Sequence, residues 1–288
     1  MDRKEFIKKS ILTGALTAIA PQLMGGSEKQ STYDKLMHNI GFNHLPNKEI
    51  KKMNSVIHKA ETRGHANHGW LNSHHSFSFA NYYNPERMNF GVLRVLNDDQ
   101  VQKGQGFGTH PHDNMEIISI PLEGDLEHKD SMGNTTVIKE GEIQVMSAGT
   151  GIQHSEYNKN LDKDVKFLQI WIFPNQKNVT PRYDQISITE LAEDNKFYQI
   201  LSPNKDDQGV WIHQDAWFNM GNLSKWKSDT YKLNKQGNGI YLFVLEGSAE
   251  VNGESLSRRD GMGVWNTDKL EVVAKDARIL LMEVPMNI

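Results

Sequence analysis

From Ile57 onward the chain consists of short apolar or alternating stretches, separated by turns rich in glycine, asparagine and aspartate. Such stretches occupy residues 90–96, 165–173, 240–245 and 279–284. A strand alternates its side chains between two faces, so short runs of this kind, with few long helical periods among them, are typical of strands. The pattern predicts an all-β fold, either a sandwich or a barrel.

A faint internal repeat divides this β-rich region into two similar halves. Residues 122–127 and 139–142 match residues 245–250 and 259–262, roughly 120 residues further along the chain. Each copy consists of a strand, a tight turn at a glycine, a return strand and a second turn at a glycine. We therefore expect two tandem copies of one β-barrel unit. The predicted domains are residues 56–180, which would bind a metal, and residues 181–288, which would not.

The N-terminal segment has the composition of an export signal. Basic residues are concentrated in residues 1–9, and residues 11–20 form an apolar run too short to span a bilayer stably. Residues 3–9 resemble a twin-arginine signal with lysine in place of the second arginine, which predicts export of the folded protein to the periplasm. A cytoplasmic protein, or one that keeps residues 1–26 as an anchor or a helix, is the alternative. Residues 27–55 are predicted to be a linker.

Charge and cysteine content exclude several classes of function. The 288 residues carry a net charge of −4, and the charged residues are scattered along the chain. No basic surface for nucleic acid is therefore expected. The chain contains no cysteine, which excludes disulfides, iron–sulfur clusters and zinc sites with thiolate ligands.

Two short motifs are the strongest candidates for chemistry. His110 and His112 are separated by one residue, and His154 and Glu156 repeat that spacing. Side chains two positions apart on a strand point to the same face, so two such pairs on neighbouring strands can converge on one ion. Glycine-rich segments lead into both motifs, as expected where the backbone bends beside a bound ion. Three imidazoles and one carboxylate suit Fe, Mn, Ni, Co or Cu.

Other histidines in the chain show that residue spacing alone does not identify a metal site. The chain has 12 histidines, and His128 with Asp130 and His213 with Asp215 have the same spacing as the second motif. Neither pair has a second pair nearby, so both are interpreted as structural. On spacing alone, solvated or buried histidines on strands remain an alternative to a metal site.

Around the two motifs the sequence resembles the cupins, which are small β-barrels, and more closely the pirin family. The general cupin pattern fits imperfectly, since Ser147 stands where proline is usual, but pirins show the same departures. The resemblance is dense over residues 56–174 and thinner over residues 198–284. The stretches that carry it most clearly are residues 63–71, 76–83, 106–118, 130–134 and 146–156.

The resemblance implies a bicupin whose first barrel holds one divalent metal through His110, His112, His154 and Glu156. Iron is the expected metal, with Mn, Ni, Co and Cu as alternatives. Glu116 would then have a structural or supporting role. The implied activity is that of a quercetin 2,3-dioxygenase, in which O₂ opens the central ring of a flavonol and carbon monoxide is released. Glu156 would act on the substrate's 3-hydroxyl as a general base, or serve only as an anionic ligand.

A metal-binding regulator without turnover is the alternative function. Some pirin-like proteins are redox-sensing regulators that bind a transcription factor, a role that export would prevent. A barrel with a purely structural metal is a third interpretation. Partners of the enzyme would be O₂ and a flavonol-like or other enolisable small molecule, and no nucleic acid.

The sequence also suggests residues that could surround the site. Aromatic side chains and one methionine are candidates for an apolar pocket wall, although such residues on strands are more often part of the core. They are Phe77, Phe79, Phe107, Met115 and Trp171. His65 and His68 are interpreted as structural, or as hydrogen-bond partners of the ligands.

Overall fold

The computed structural model of the protein describes residues 53–288. The predicted export signal and most of the predicted linker lie outside the described residues. Within them, all regular elements are strands except two short 3-10 helices, Ala60–Thr62 and Thr189–Leu191, which confirms the all-β prediction. No helix in residues 53–288 has the length and apolar character needed to cross a membrane.

Twenty strands make up the described part of the chain. The first ten are β1 Asn54–His58, β2 Gly64–Asn67, β3 Leu71–His75, β4 Leu93–Val101, β5 Gly106–His112, β6 Glu116–Glu123, β7 Leu126–Asp130, β8 Thr135–Ile138, β9 Glu142–Ser147 and β10 Ile152–Asn158. The others are β11 Val165–Ile172, β12 Arg182–Ser187, β13 Phe197–Ser202, β14 Val210–Trp211, β15 Trp217–Leu223, β16 Ser228–Lys232, β17 Asn238–Val251, β18 Glu254–Ser257, β19 Gly261–Trp265 and β20 Lys269–Pro285.

Strands β2 to β12 form two antiparallel sheets that face each other. The larger sheet has the order β12-β9-β6-β11-β4-β3-β2, and the smaller has the order β5-β10-β7-β8. Side chains meet between the sheets: the ring of His112 on β5 lies 4.9 Å from that of Trp171 on β11, and His128 on β7 lies 4.6 Å from Tyr183 on β12. The space between these sheets holds the site described below.

The remaining strands form a nine-stranded sheet with the main path β1-β19-β17-β20-β15-β13-β14. The first strand of the described chain, β1, pairs with β19 near the chain's C-terminal end. Conversely, β12 begins after the predicted boundary at residue 180 and pairs with β9 of the first half. The sheet of each half thus includes one strand that the sequence places in or next to the other half. The predicted domain limits stay a prediction.

A continuous hydrophobic core joins the two halves. The largest cluster contains Ile118 and Leu168 from the first half together with Phe218 and Phe243 from the second, all fully buried. Burying a leucine, isoleucine or phenylalanine side chain contributes about 1.5–3 kcal/mol. A smaller cluster combines buried side chains from both of the first two sheets; it comprises Leu71, Val101, Leu126, Ile138, Val165 and Phe167.

The internal repeat is visible in the backbone but differs between the copies. Gly124 turns the chain between β6 and β7 with φ +79°, and Gly247 has a similar φ of +72°. Gly247, however, lies inside β17, where the register shifts instead of ending the strand. A Cβ at Gly247 would overlap the carbonyl oxygen of Asp276 on β20, so only glycine fits this close approach.

Candidate metal centre and adjoining cavity

The four-stranded sheet brings three predicted ligands together. His110 and His112 lie on β5, and the register places His154 on β10 directly opposite His110. The three ring centroids are 4.4 to 4.9 Å apart. Ligand nitrogens of all three lie within 4.8 Å of one another, the only such group of three or more potential ligands among residues 53–288.

The surroundings of these histidines fit a bound metal ion. The Nδ1 of His110 donates a hydrogen bond to the carbonyl oxygen of Gly108 at 2.8 Å. The other ring nitrogen, Nε2, therefore keeps a lone pair with which it can bind a metal ion. His154 is 2% exposed, and neither of its ring nitrogens has a hydrogen-bond partner among the described residues. Since buried polar atoms are normally paired, a nitrogen of His154 facing two other imidazoles suits a shared cation.

Burial keeps two of the imidazoles uncharged. Burial, reinforced by His110, lowers the pKa of His112 to about 4. Burial followed by the influence of His110 and His112 lowers the pKa of His154 to about 2. A neutral imidazole keeps the lone pair that a metal requires, so protons do not compete for these nitrogens at neutral pH.

Glu156 follows His154 on β10 after a β-bulge, an irregularity that re-aims a side chain. Its carboxylate oxygens accept hydrogen bonds from Ser119 Oγ at 2.8 Å and from Gln169 Nε2 at 2.6 Å. Burial raises the pKa of Glu156 to about 7. The carboxylate is not part of the three-histidine group, although it lines the same cavity as His110. The assignment of all four residues as metal ligands stays a prediction.

The other two histidine–aspartate pairs lie outside the histidine group. His128 bonds Asp130 at 3.0 Å and packs with its ring 5.4 Å from that of His154, which places it beside the group without joining it. His213 packs against Trp211, and Asp215 forms an ion pair with Lys235. Neither pair belongs to the three-histidine group, and the structural interpretation of both pairs stays a prediction.

Glu116 is buried on β6 and does not contribute to the histidine group. Its carboxylate accepts hydrogen bonds from Ser147 Oγ at 2.7 Å and from the backbone N–H of His213. Burial raises the pKa of Glu116 to about 7. Because Ser147 precedes the glycine-rich segment that leads to His154, Glu116 connects that segment to the second half of the molecule.

A cavity of about 120 Å³ opens beside His110 and Glu156. Three of the predicted wall residues, Phe79, Phe107 and Trp171, line it. Phe77 instead packs in the large core, and Met115 packs against a small cluster around Met146. The cavity is also lined by Leu71, by His68, and by the polar residues Ser73, His75, Asn97, Asp99 and Gln169.

The polar lining is the part of the site that sequence reasoning missed. Ser73 donates a hydrogen bond to Asp99, whose pKa is raised by burial to about 7. His65, in contrast, bonds Asn72 and stacks on His74 at the surface. Ser73 and His75 lie two positions apart on β3, as do Asn97 and Asp99 on β4. In a sequence, such alternating polar positions are indistinguishable from the solvent-facing side of a strand.

Comparisons with known proteins agree with this fold. Residues 55–172 match the family model of pirin, and residues 199–284 match that of the quercetinase C-terminal cupin domain. The quercetin 2,3-dioxygenase of Escherichia coli K12 is 43% identical over 230 residues, which are 80% of this chain and 98% of that protein. A pirin-like protein of Caulobacter vibrioides is 39% identical over 222 residues, covering 76% and 95% of the two chains.

Solved structures show the same architecture. The bacterial pirin YhhW from Escherichia coli, in complex with nickel(II), aligns with a TM-score of 0.76 at 42% identity, covering 81% of this chain and 99% of that chain. A quercetin 2,3-dioxygenase from Acinetobacter baumannii shares the fold with a TM-score of 0.68 at 20% identity, over 80% and 86% of the two chains. The matched models, the sequence identities and the common fold show that this chain belongs to the pirin family.

Proposed function

We propose that the protein is a metal-dependent dioxygenase that opens the central ring of a flavonol such as quercetin. The observation that carries the proposal is the three-histidine group, which adjoins a cavity with aromatic walls and the carboxylate of Glu156. The relative named quercetin 2,3-dioxygenase supports this choice of substrate. In the reaction, flavonol and O₂ give a ring-opened product and carbon monoxide.

The protein's own groups would bind and orient the reactants. His110, His112 and His154 would hold the ion, with Glu156 as the predicted fourth ligand. A divalent metal bound there would supply Lewis acidity and reactivity toward O₂. A carboxylate oxygen of Glu156 would accept the proton of the substrate's 3-hydroxyl, and Ser119 and Gln169 hold that carboxylate in place.

The cavity walls would contact a part of the substrate next to the reacting ring and keep water away from that side of the site. Phe79, Phe107 and Trp171 line the cavity together with Glu156 and offer flat apolar surfaces. Apolar walls with a few convergent polar groups are typical of small-molecule sites. Another enolisable molecule of similar shape would satisfy the same groups, and the assay below distinguishes it from a flavonol.

The direct test is turnover of quercetin by purified protein loaded separately with Fe, Mn, Ni, Co and Cu. We expect loss of flavonol absorbance and release of carbon monoxide under oxygen with at least one metal, iron foremost. His110→Ala should abolish turnover. Absence of turnover with every metal would contradict flavonol cleavage. It would favour either another enolisable substrate or the alternative function, a metal-binding regulatory protein without catalysis.

We also propose that the protein is exported and contains two tandem cupin barrels. The basic N-terminus and the short apolar run support export. N-terminal sequencing of mature protein should begin near residues 21–27. Recovery of the intact N-terminus from the cytoplasm would contradict export and leave the dioxygenase proposal unaffected.

A further inference from the structure

Five polar side chains form a continuous row across the larger sheet of the first half. Strand register places His75 beside Asn97, Asn97 beside Gln169, Gln169 beside Ser119, and Ser119 beside Gln144. All five are buried, with exposures between 0% and 8%. We call this set the polar row. A buried sheet face normally carries apolar side chains, so the row needs polar partners.

Only the centre of the polar row is paired within the described residues. Ser119 and Gln169 donate hydrogen bonds to Glu156. At one end, the Nδ1 of His75 and the Oδ1 of Asn97 have no partner in residues 53–288; at the other end, neither polar atom of the Gln144 side chain has one. An unpaired buried polar group is costly, so each end requires a hydrogen-bonding molecule.

The two ends differ in what they face. His75 and Asn97 line the cavity beside His110 and Glu156, whereas Gln144 is not part of its lining. The buried Nε1 of Trp171, another cavity residue, also lacks a partner among the described residues. Three residues of the cavity lining therefore carry a polar atom that is unpaired within the described residues: an acceptor on Asn97, a donor on Trp171, and an imidazole nitrogen on His75 that can serve in either role.

The size of the cavity limits what can enter. Its volume of about 120 Å³ is similar to that of the engineered cavity of about 150 Å³ that binds benzene. One aromatic ring fits that space, and a fused ring system does not. Leu71, Phe79 and Phe107 provide the apolar contacts for such a ring.

We propose that this cavity binds a single hydroxyl-bearing aromatic ring of the ligand, with His75 and Asn97 hydrogen-bonded to its hydroxyl groups. The proposal rests on the proposed function only in taking that ring to be part of a flavonol. His75 and Asn97 would then determine specificity without touching the reacting carbon atoms, and Gln144 would have no role in it.

Anaerobic calorimetry on the metal-loaded protein tests this separately from turnover. The probes are quercetin and 3-hydroxyflavone, which share the 3-hydroxyl and 4-keto groups, while 3-hydroxyflavone has no further hydroxyl. We expect the wild type to bind quercetin about 10-fold more tightly, the effect of about two net hydrogen bonds. Asn97→Leu and His75→Phe should each reduce that ratio to about 3, and the double variant should bring it close to 1.

Gln144→Leu is the matched control, because it removes an equally buried and unpaired group from the same row. It should keep the wild-type ratio of about 10. Equal binding of both flavonols by the wild type, no binding of either, or the same loss of ratio in Gln144→Leu would overturn the proposal. A clear preference without turnover would overturn the dioxygenase reaction alone, and turnover without a preference would overturn this inference alone.

Discussion

His58 on β1 contacts Tyr241 in the second half of the molecule. Its replacement tests how a buried histidine makes the free energy of unfolding depend on pH. The side chain is 6% exposed, its Nδ1 lies 2.9 Å from the Tyr241 hydroxyl, and its ring packs edge-on against Phe77. Burial, reinforced by the charge of Arg87, lowers the pKa of His58 from 6.5 to about 4. The neutral imidazole is therefore the form that fits the folded protein.

The direction and size of the change in stability with pH follow from the pKa of His58 in the unfolded chain and in the folded protein. The unfolded chain takes up the proton at a higher pH than the folded protein, so the stabilisation from neutral His58 is fully present above pH ~6.5. It is lost as the pH falls toward 4. The gap between the pKa values corresponds to about 3 kcal/mol, of which about 2 kcal/mol is lost by pH ~5.

The assay compares urea unfolding of the wild type and of His58→Gln at pH ~7.5 and pH ~5. Glutamine can still bond Tyr241 but does not titrate, and the other buried histidines affect both proteins alike. We expect the free energy of unfolding of the wild type to fall by about 2 kcal/mol more than that of the variant over this interval. Equal falls in both proteins would refute the role assigned to His58.

Three further test substitutions, two of them with a matched control substitution, examine the site and the fold. Elemental analysis should find no stoichiometric metal in His154→Ala but normal metal in His213→Ala; equal content would show that the wrong histidines were assigned. Phe107→Ala should raise KM for quercetin about 10-fold with little change in kcat, through lost apolar contact, and a fall in kcat alone would contradict a wall role. Gly247→Ala should lower the free energy of unfolding by more than about 2 kcal/mol because its Cβ overlaps a carbonyl oxygen of β20. The matched control is Gly253→Ala, because Gly253 also has a positive φ but has open space around it; this variant should lose about 1 kcal/mol of unfolding free energy in a denaturation series. Similar losses in the two variants would contradict the role assigned to the close approach at Gly247.

Strand prediction succeeded where burial is local and periodic. The apolar run at residues 165–173 corresponds to β11, Val165–Ile172. The runs at residues 240–245 and 279–284 lie inside the longer strands β17 and β20. The sequence places a turn at Gly247, yet β17 continues through it, because a glycine with positive φ can form either a turn or a bulge.

The candidate site likewise contains residues that the sequence reveals and residues that only the tertiary structure brings together. His110, His112 and His154 could be selected from the sequence because two of them share one strand face and the third lies in a motif of the same spacing. Ser119, Gln169 and the other members of the polar row lie on five separate strands, so no motif within one strand links them. Only their register places them side by side around Glu156.

By itself the sequence determined the strand-rich architecture, the family, and the three histidines, because alternation, turn residues and short motifs are local properties of the chain. Tertiary structure alone decided that β1 pairs with β19, that the polar row lines up across five strands, and that one of its ends meets the cavity. The reason is that a strand's pattern specifies which of its faces is buried but not which strand lies beside it. Partner and register follow from long-range burial over the whole sheet.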